Sequence, residues 1–359
     1  MIREQMAKFI TGKDTKLVEA MQKIDNNSKG ILFAVNQQGR LCGAVTDGDI
    51  RRWLLKTGEL DVEIRSVMNA SPHFFTKNDY VSIQKFLCEK SLNAVPIVNE
   101  KREIIDIVLR NMGNADKPYD KTNSLSKVPI IIMAGGEGTR LYPYTKILPK
   151  PLIPIGEVPI AERVINYFCD YGAEDFLMTV NYRKSLIRSY FCEIEKKYRV
   201  NFIEEDKPLG TAGSLRLIKR QFHQPVFVTN CDTLIRADYD EIYKFHQDSE
   251  NAVTIVTAMK NDTIPYGVIH SKENGEIDRI VEKPKRSYLI NTGMYVVNPE
   301  MISLIPDNEM FHMTHLIEKA MSRGYKVGMY PVSEDSFLDM GEFAEMKRME
   351  EKLNIVSDE

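Results

Sequence analysis

The chain has 359 residues, 43% of them hydrophobic and 28% charged, and 48 Lys/Arg against 51 Asp/Glu leave a formal charge of −3. That length suits two domains better than one, and the composition excludes a disordered tail or a fibre. The longest purely apolar run, residues 128–134 (VPIIIMA), is far below the roughly 18 residues that span a bilayer, and the charged N-terminus lacks a signal-peptide core. Five cysteines (Cys42, Cys88, Cys169, Cys192, Cys231) are scattered and never spaced as CxxC, so neither a disulfide framework nor a zinc ribbon is indicated. The expected address is the cytoplasm, with no membrane partner.

Residues 1–127 carry 20 Lys/Arg and 16 Asp/Glu, a balance of +4, whereas the remainder carries 28 and 35, a balance of −7. The upstream surplus suits an anionic ligand but forms no basic patch for nucleic acid. Residues 114–127 (NADKPYDKTNSLSK) are poor in large apolar side chains and rich in turn formers. The expected division is 1–118, a linker at 119–127, and a domain at 128–359.

In chain order, apolar residues at Leu17, Val18, Met21 and Ile24 predict a helix, followed by strands at 31–35 and 41–45 and a helix from Asp49. The pattern recurs as a helix at 80–91 and strands at 94–98 and 103–108. Two such units pair because each alone leaves an apolar face open. The first reaches GAVTDGDIRR, residues 43–52, which resembles a CBS domain, and residues 1–118 resemble a tandem CBS pair. The resemblance implies that Thr46 and Asp49 grip an adenosine nucleotide, a possible effector. A carboxylate such as Asp49 accepts from ribose hydroxyls, and the helix N-terminus after it favours phosphate. In the second copy Leu109 and Met112 stand at these positions, so at most one such site is expected. The bland alternative is a pair that only packs and dimerises the protein; a homo-oligomer is expected.

The second part alternates strands (128–134, 176–180, 226–229, 252–258) with helices (161–171, 185–198, 212–220, 238–246), which predicts an α/β fold with a mostly parallel, doubly wound sheet. Short strands at 267–270, 276–281 and 289–297 suggest an inserted, partly antiparallel lobe, and a charged helix closes the chain at 341–353.

The first strand runs into GGEGTRLYPYTKILPKPLIPIG, residues 135–156, where ligands of open α/β sheets bind. No GK[ST] ends the loop, which excludes a Walker A motif, and Pro143, Pro149, Pro151 and Pro154 exclude the long helix of a dinucleotide fingerprint. What remains is a loop around a nucleoside triphosphate. Gly135, Gly136 and Gly138, followed by Thr139, let backbone N–H groups approach phosphates, and Arg140 and Lys150 bring positive charge. GGxGTRL followed by PKPL resembles the signature of sugar-1-phosphate nucleotidylyltransferases, whose fold is a Rossmann-like mixed sheet.

That resemblance implies further roles. PLGTAG, residues 208–213, would hold the nucleobase through Gly210 and Thr211, and Glu205 matches the position that reads the base edge. Asp232 (in VTNCD) and Asp339 (in FLDMG) would hold Mg²⁺. Gly267, Glu282 and Lys283 (in VEKP) and Asn291 (in NTGMY) resemble the sugar-phosphate side. Surface charge or turn propensity remains the alternative for each acid and for Lys283. His312 and His315, spaced i and i+3, read as a polar helix face. A CBS pair ahead of such a domain resembles the glucosamine-1-phosphate guanylyltransferases of bacterial nonulosonic (legionaminic) acid biosynthesis. Mannose-1-phosphate guanylyltransferases share the PLGTAG-like segment, which favours GTP. TRLYPYTK also resembles glucose-1-phosphate thymidylyltransferases, which keeps dTTP and UTP open. A non-catalytic nucleotide sensor is the alternative of another class.

Overall fold

The computed structural model describes residues 6–27, 29–76, 79–90, 92–110 and 123–353. Met112 and the first four residues of the expected linker, 119–122, lie outside the described residues, as do both ends of the expected 1–118 domain and the C-terminal end of the 128–359 domain. Contacts divide the chain into two compact units. One holds the described part of 1–118 together with 259–289 and 333–335, and the other holds the rest.

In the first unit, Ile10–Gly12, Ile31–Val35 and Leu41–Thr46 form a three-stranded sheet, and Ala94–Val98 pairs antiparallel with Ile104–Leu109. Alternation along Ile31–Val35 sorts side chains to two sides. Leu32 and Ala34 join Leu17, Ile24 and Leu54, whereas Ile31 and Phe33 meet Ala94, Val98 and Ile107. Residues 31–44 and 94–107 thus share one apolar cluster. Met259 and Leu289 pack into the cluster around Leu17 and Leu32, which is why residues 259–289 group with this unit.

The second unit is built on a seven-stranded mixed sheet, in the order Arg199–Glu204, Asp175–Val180, Ile130–Ala134, Val226–Asn230, Lys285–Val297, Val253–Thr263, Val327–Val332, of which residues 259–263 and 285–289 group with the first unit. The first four are mutually parallel, and Lys285–Val297 runs antiparallel to Val226–Asn230. Ile130–Ala134 is buried throughout because both faces are covered. Ile130, Ile132 and Ala134 pack with Phe168, Phe176 and Met178, while Ile131 and Met133 pack with Leu215, Val228 and Leu316.

Two helices are shorter than their patterns suggest. The expected 212–220 helix is one α-turn, Gly210–Gly213, continued as a 3-10 turn, Ser214–Leu217, because glycine is a poor helix former and Ile218 is extended. The expected 185–198 helix spans Lys184–Glu193 and stops where Ile194 turns extended. The proline-rich stretch forms three separate 3-10 turns, Thr139–Leu141, Tyr144–Lys146 and Lys150–Leu152.

Candidate active site

The carboxyl ends of Ile130–Ala134 and Val226–Asn230 open into a cavity of about 440 Å³ in the second unit. Every residue expected to bind nucleotide there (Gly135, Gly136, Gly138, Thr139, Glu205, Gly210, Thr211) lines it, together with Arg140, Lys150 and Asp232. These residues come from segments nearly 100 positions apart, and parallel strand register brings them to one rim.

The charged pole is a network. Lys150 forms an ion pair with Asp232, and both side chains are largely buried. Asp232 follows Val226–Asn230, and Asp339 ends Phe337–Asp339, which pairs antiparallel with Thr233–Ile235, so Thr233 and Asp339 are partners. Met340 N–H donates to the Asp232 carbonyl at 3.0 Å. Burial, reinforced by the charge of Asp232, pushes the Asp339 carboxyl up to about 6, against the opposing charges of Lys150 and Arg140. The two partly buried carboxylates repel each other, and Asp232 lines the cavity whereas Asp339 is not among its lining residues. Cys231 beside them is a buried thiol whose pKa burial raises, and all five cysteines are free.

At the other pole Glu205 is only 5% exposed. Its Oε2 accepts from Leu209 N–H at 3.2 Å, and its Oε1 lies 2.6 Å from the place a Cβ on Gly135 would take. The carboxylate therefore braces one glycine turn against the other, and burial raises its pKa. Gly210, at φ +77°, faces the Phe311 carbonyl, 2.7 Å from an ideal Cβ. The sequence reading missed this neighbour. Met310 and His312 also line the cavity, carried there by segment 309–313. Only the i, i+3 histidine spacing hinted at it, and His312 stands as the N-cap of Met313–Ser322, with its N–H donating to His315 Nδ1 at 3.3 Å.

The sugar-side residues are divided. Gly267 and Glu282 lie together in the first unit, where a Cβ on Gly267 would sit 2.9 Å from Glu282 Oε2, and Lys283 follows at φ +44°. Asn291 lies in the second unit on Lys285–Val297, donating to Tyr295 Oη at 2.8 Å and accepting from Gly293 N–H at 3.0 Å. Thr46 and Asp49 form a capping box at the start of Asp47–Thr57. Asp49 Oδ2 accepts from Thr46 Oγ1 at 2.7 Å, and Oδ1 pairs with Arg52 at 2.6 Å.

An α/β sheet with a glycine loop, two cations and an acid at its strand ends defines a nucleotide-handling domain. Residues 129–354 match the family described as nucleotidyl transferase, and residues 9–56 match the CBS domain. The chain belongs to the nucleotidyl transferase family, with a CBS domain ahead of the transferase domain. Among curated proteins, the mannose-1-phosphate guanyltransferase of Yarrowia lipolytica is 37% identical over 183 residues, 49% of this chain and 50% of its own. That of Saccharomyces cerevisiae is 39% identical over 184 residues, 49% and 51% of the two chains. The chain thus spans about half the length of the curated relatives it matches. The solved structure of HddC from Yersinia pseudotuberculosis is 24% identical and covers 63% of this chain and 99% of its own, with a TM-score of 0.49, too loose to carry an argument.

Proposed function

We propose that the chain transfers the nucleoside monophosphate of GTP to a sugar-1-phosphate, mannose-1-phosphate or glucosamine-1-phosphate, and releases pyrophosphate. The observation that carries this reading is the single cavity uniting the glycine loop, Arg140, Lys150, Asp232 and the 208–213 turn. The mannose-1-phosphate guanyltransferases among its relatives support the choice of base.

A phosphate oxygen of the sugar-1-phosphate attacks the α-phosphorus in line, a new P–O bond forms, and the bond to the bridging oxygen of pyrophosphate breaks. A phosphate monoester loses its second proton near pH ~6, so the nucleophile is already anionic and no general base is needed. The backbone N–H groups of the glycine loop cradle phosphate oxygens, while Arg140 and Lys150 hold charge that grows on the leaving group. Glu205 keeps the two glycine turns in register and accepts from the base edge. Asp232 and Asp339 would hold Mg²⁺, which supplies charge neutralisation at the triphosphate when bound. Asn291, which lies in the same unit as the cavity, is assigned to the sugar phosphate.

The test is pyrophosphate release with Mg²⁺, with GTP, dTTP, UTP, CTP and ATP each set against mannose-, glucosamine- and glucose-1-phosphate. Release that needs GTP, one of the first two sugars and Mg²⁺ is expected. Preference for dTTP or UTP with glucose-1-phosphate would move the assignment to that class. Binding without turnover anywhere in the grid would favour a nucleotide sensor. For the CBS domain we propose an adenosine-nucleotide effector at Thr46 and Asp49, for which Asp49 exchanges its internal contacts for ribose hydroxyls. AMP binding to the full chain by calorimetry, lost in Asp49→Ala, is expected; no binding would remove the effector.

A further inference from the structure

Segment 309–313 (EMFHM) contributes Met310 and His312 to the cavity wall. Its backbone is fastened to the 208–213 turn. Phe311 N–H donates to the Leu209 carbonyl at 2.8 Å, and Ala212 and Gly213 N–H donate to the Phe311 carbonyl at 2.9 and 3.0 Å. Met313 N–H donates to Thr211 Oγ1 at 3.0 Å. With the backbone held in this way, residues 310 and 312 are placed on the wall. Met310 is 62% exposed although apolar, and His312 is half-buried.

The His312 ring has a defined orientation. Its Nδ1 accepts from Thr211 N–H at 3.4 Å, and Nδ1 and Cε1 lie 3.0 and 3.1 Å from where a Cβ on Gly210 would be. A ring nitrogen that accepts from a backbone N–H carries no proton, so the neutral imidazole bears its proton on Nε2. That N–H has no hydrogen-bond partner among the described residues. The cavity wall therefore carries a donor beside a soft thioether, next to the turn expected to hold the base.

We propose that His312 selects the nucleobase by donating from Nε2–H to a ring carbonyl, with the Met310 thioether against the base face. The inference rests on reading the cavity as a nucleotide site and adds the class of base it takes. Guanine and uracil or thymine present an oxo acceptor at the corresponding edge, whereas adenine and cytosine present an amino donor there. Two facing donors leave both groups unsatisfied, and a site built to hydrogen-bond one group rejects the analogue that cannot reply.

The test is calorimetric binding of GTP, ITP, ATP, UTP and CTP to the full chain, as wild type, His312→Phe and His312→Asn. Wild type is expected to bind GTP and ITP at least tenfold more tightly than ATP, and UTP at least tenfold more tightly than CTP. In His312→Phe these ratios should fall to within threefold, and the amide donor of His312→Asn should restore part of them. A merely structural role would weaken all five alike and leave the ratios standing. Equal binding of GTP and ATP by wild type, ITP no better than ATP, or unchanged ratios in a folded His312→Phe would each overturn the proposal. If His312→Phe does not fold, the same ratios are read in His312→Ala, where unchanged ratios would overturn the proposal. Binding is measured apart from turnover, so absent pyrophosphate release would count against the transferase reading while leaving this test intact.

Discussion

In the turn at 208–213, a Cβ added to Gly210 would lie 2.7 Å from the Phe311 carbonyl, and one added to Gly213 would lie 2.7 Å from the Glu309 carbonyl. In the loop at 135–138, a Cβ added to Gly136 would meet nothing within 4 Å. Both stretches look alike in sequence, yet glycine serves different ends in them. The downstream turn uses glycine so that the chain's own backbone can approach, which builds the wall carrying Met310 and His312. The upstream loop leaves exposed Gly136 bare where it lines the cavity, with open space around the missing side chain. Gly135 stands between the two cases, because the missing side chain makes room for Glu205.

Four substitutions would break or sharpen this contrast, in descending order of effect. Arg140→Ala, on the ligand side, should lower kcat/KM about 10²–10³-fold if it acts as one preorganised donor, with melting temperature unchanged because Arg140 is exposed. A loss below threefold would remove Arg140 from the chemistry. Gly210→Ala should destabilise the fold by about 1–3 kcal/mol from the left-handed backbone alone, with the Phe311 contact added, read as a lower melting temperature. Gly136→Ala should leave stability within about 0.5 kcal/mol, as for a surface change, while raising the KM for nucleotide about tenfold. Equal destabilisation by both glycine substitutions would erase the distinction.

The smallest effect concerns the brace between the turns. Burial holds the Glu205 pKa above its unfolded value, so its favourable contribution is present below the ordinary carboxylate range and is lost as pH rises through the folded value. Glu205→Gln lacks that loss. The melting temperature of the variant relative to wild type should therefore climb between pH 4 and pH 7, measured by thermal scans at each pH. A relative decline would mean that ionised Glu205 is stabilised by its donors more than burial opposes it.

Much of this was legible in the sequence because it is local. The strands expected at 31–35 and 94–98 occur as Ile31–Val35 and Ala94–Val98, and the prolines after the glycine loop do prevent a long helix. The nucleotide-side residues converge on one cavity because strand ends in a parallel sheet share a rim. Segment 309–313 was not legible. Its partners lie about 100 residues away, and its signal is a backbone carbonyl, Phe311 O, that no side-chain pattern encodes. Nor did apolar periodicity announce Arg199–Glu204, an edge strand whose residues are exposed or only half-buried. Nor did the sequence announce that Met259 and Leu289, two apolar residues inconspicuous in their strands, pack with Leu17 and Leu32 of the N-terminal unit.

The two-sided burial of Ile130–Ala134 also sets what this protein can tolerate as it diversifies. Odd and even positions of the strand serve different clusters, so one inserted residue would exchange the faces and advance the glycine loop by about 3.3 Å. The hairpin of Val268–Ser271 and Ile277–Val281 has mostly exposed positions and already carries an irregular register between His270 and Ser271. Length variation is therefore affordable at the hairpin tip and forbidden beneath the glycine loop: one margin of the chain is free to drift while the other is locked to the lattice of its core.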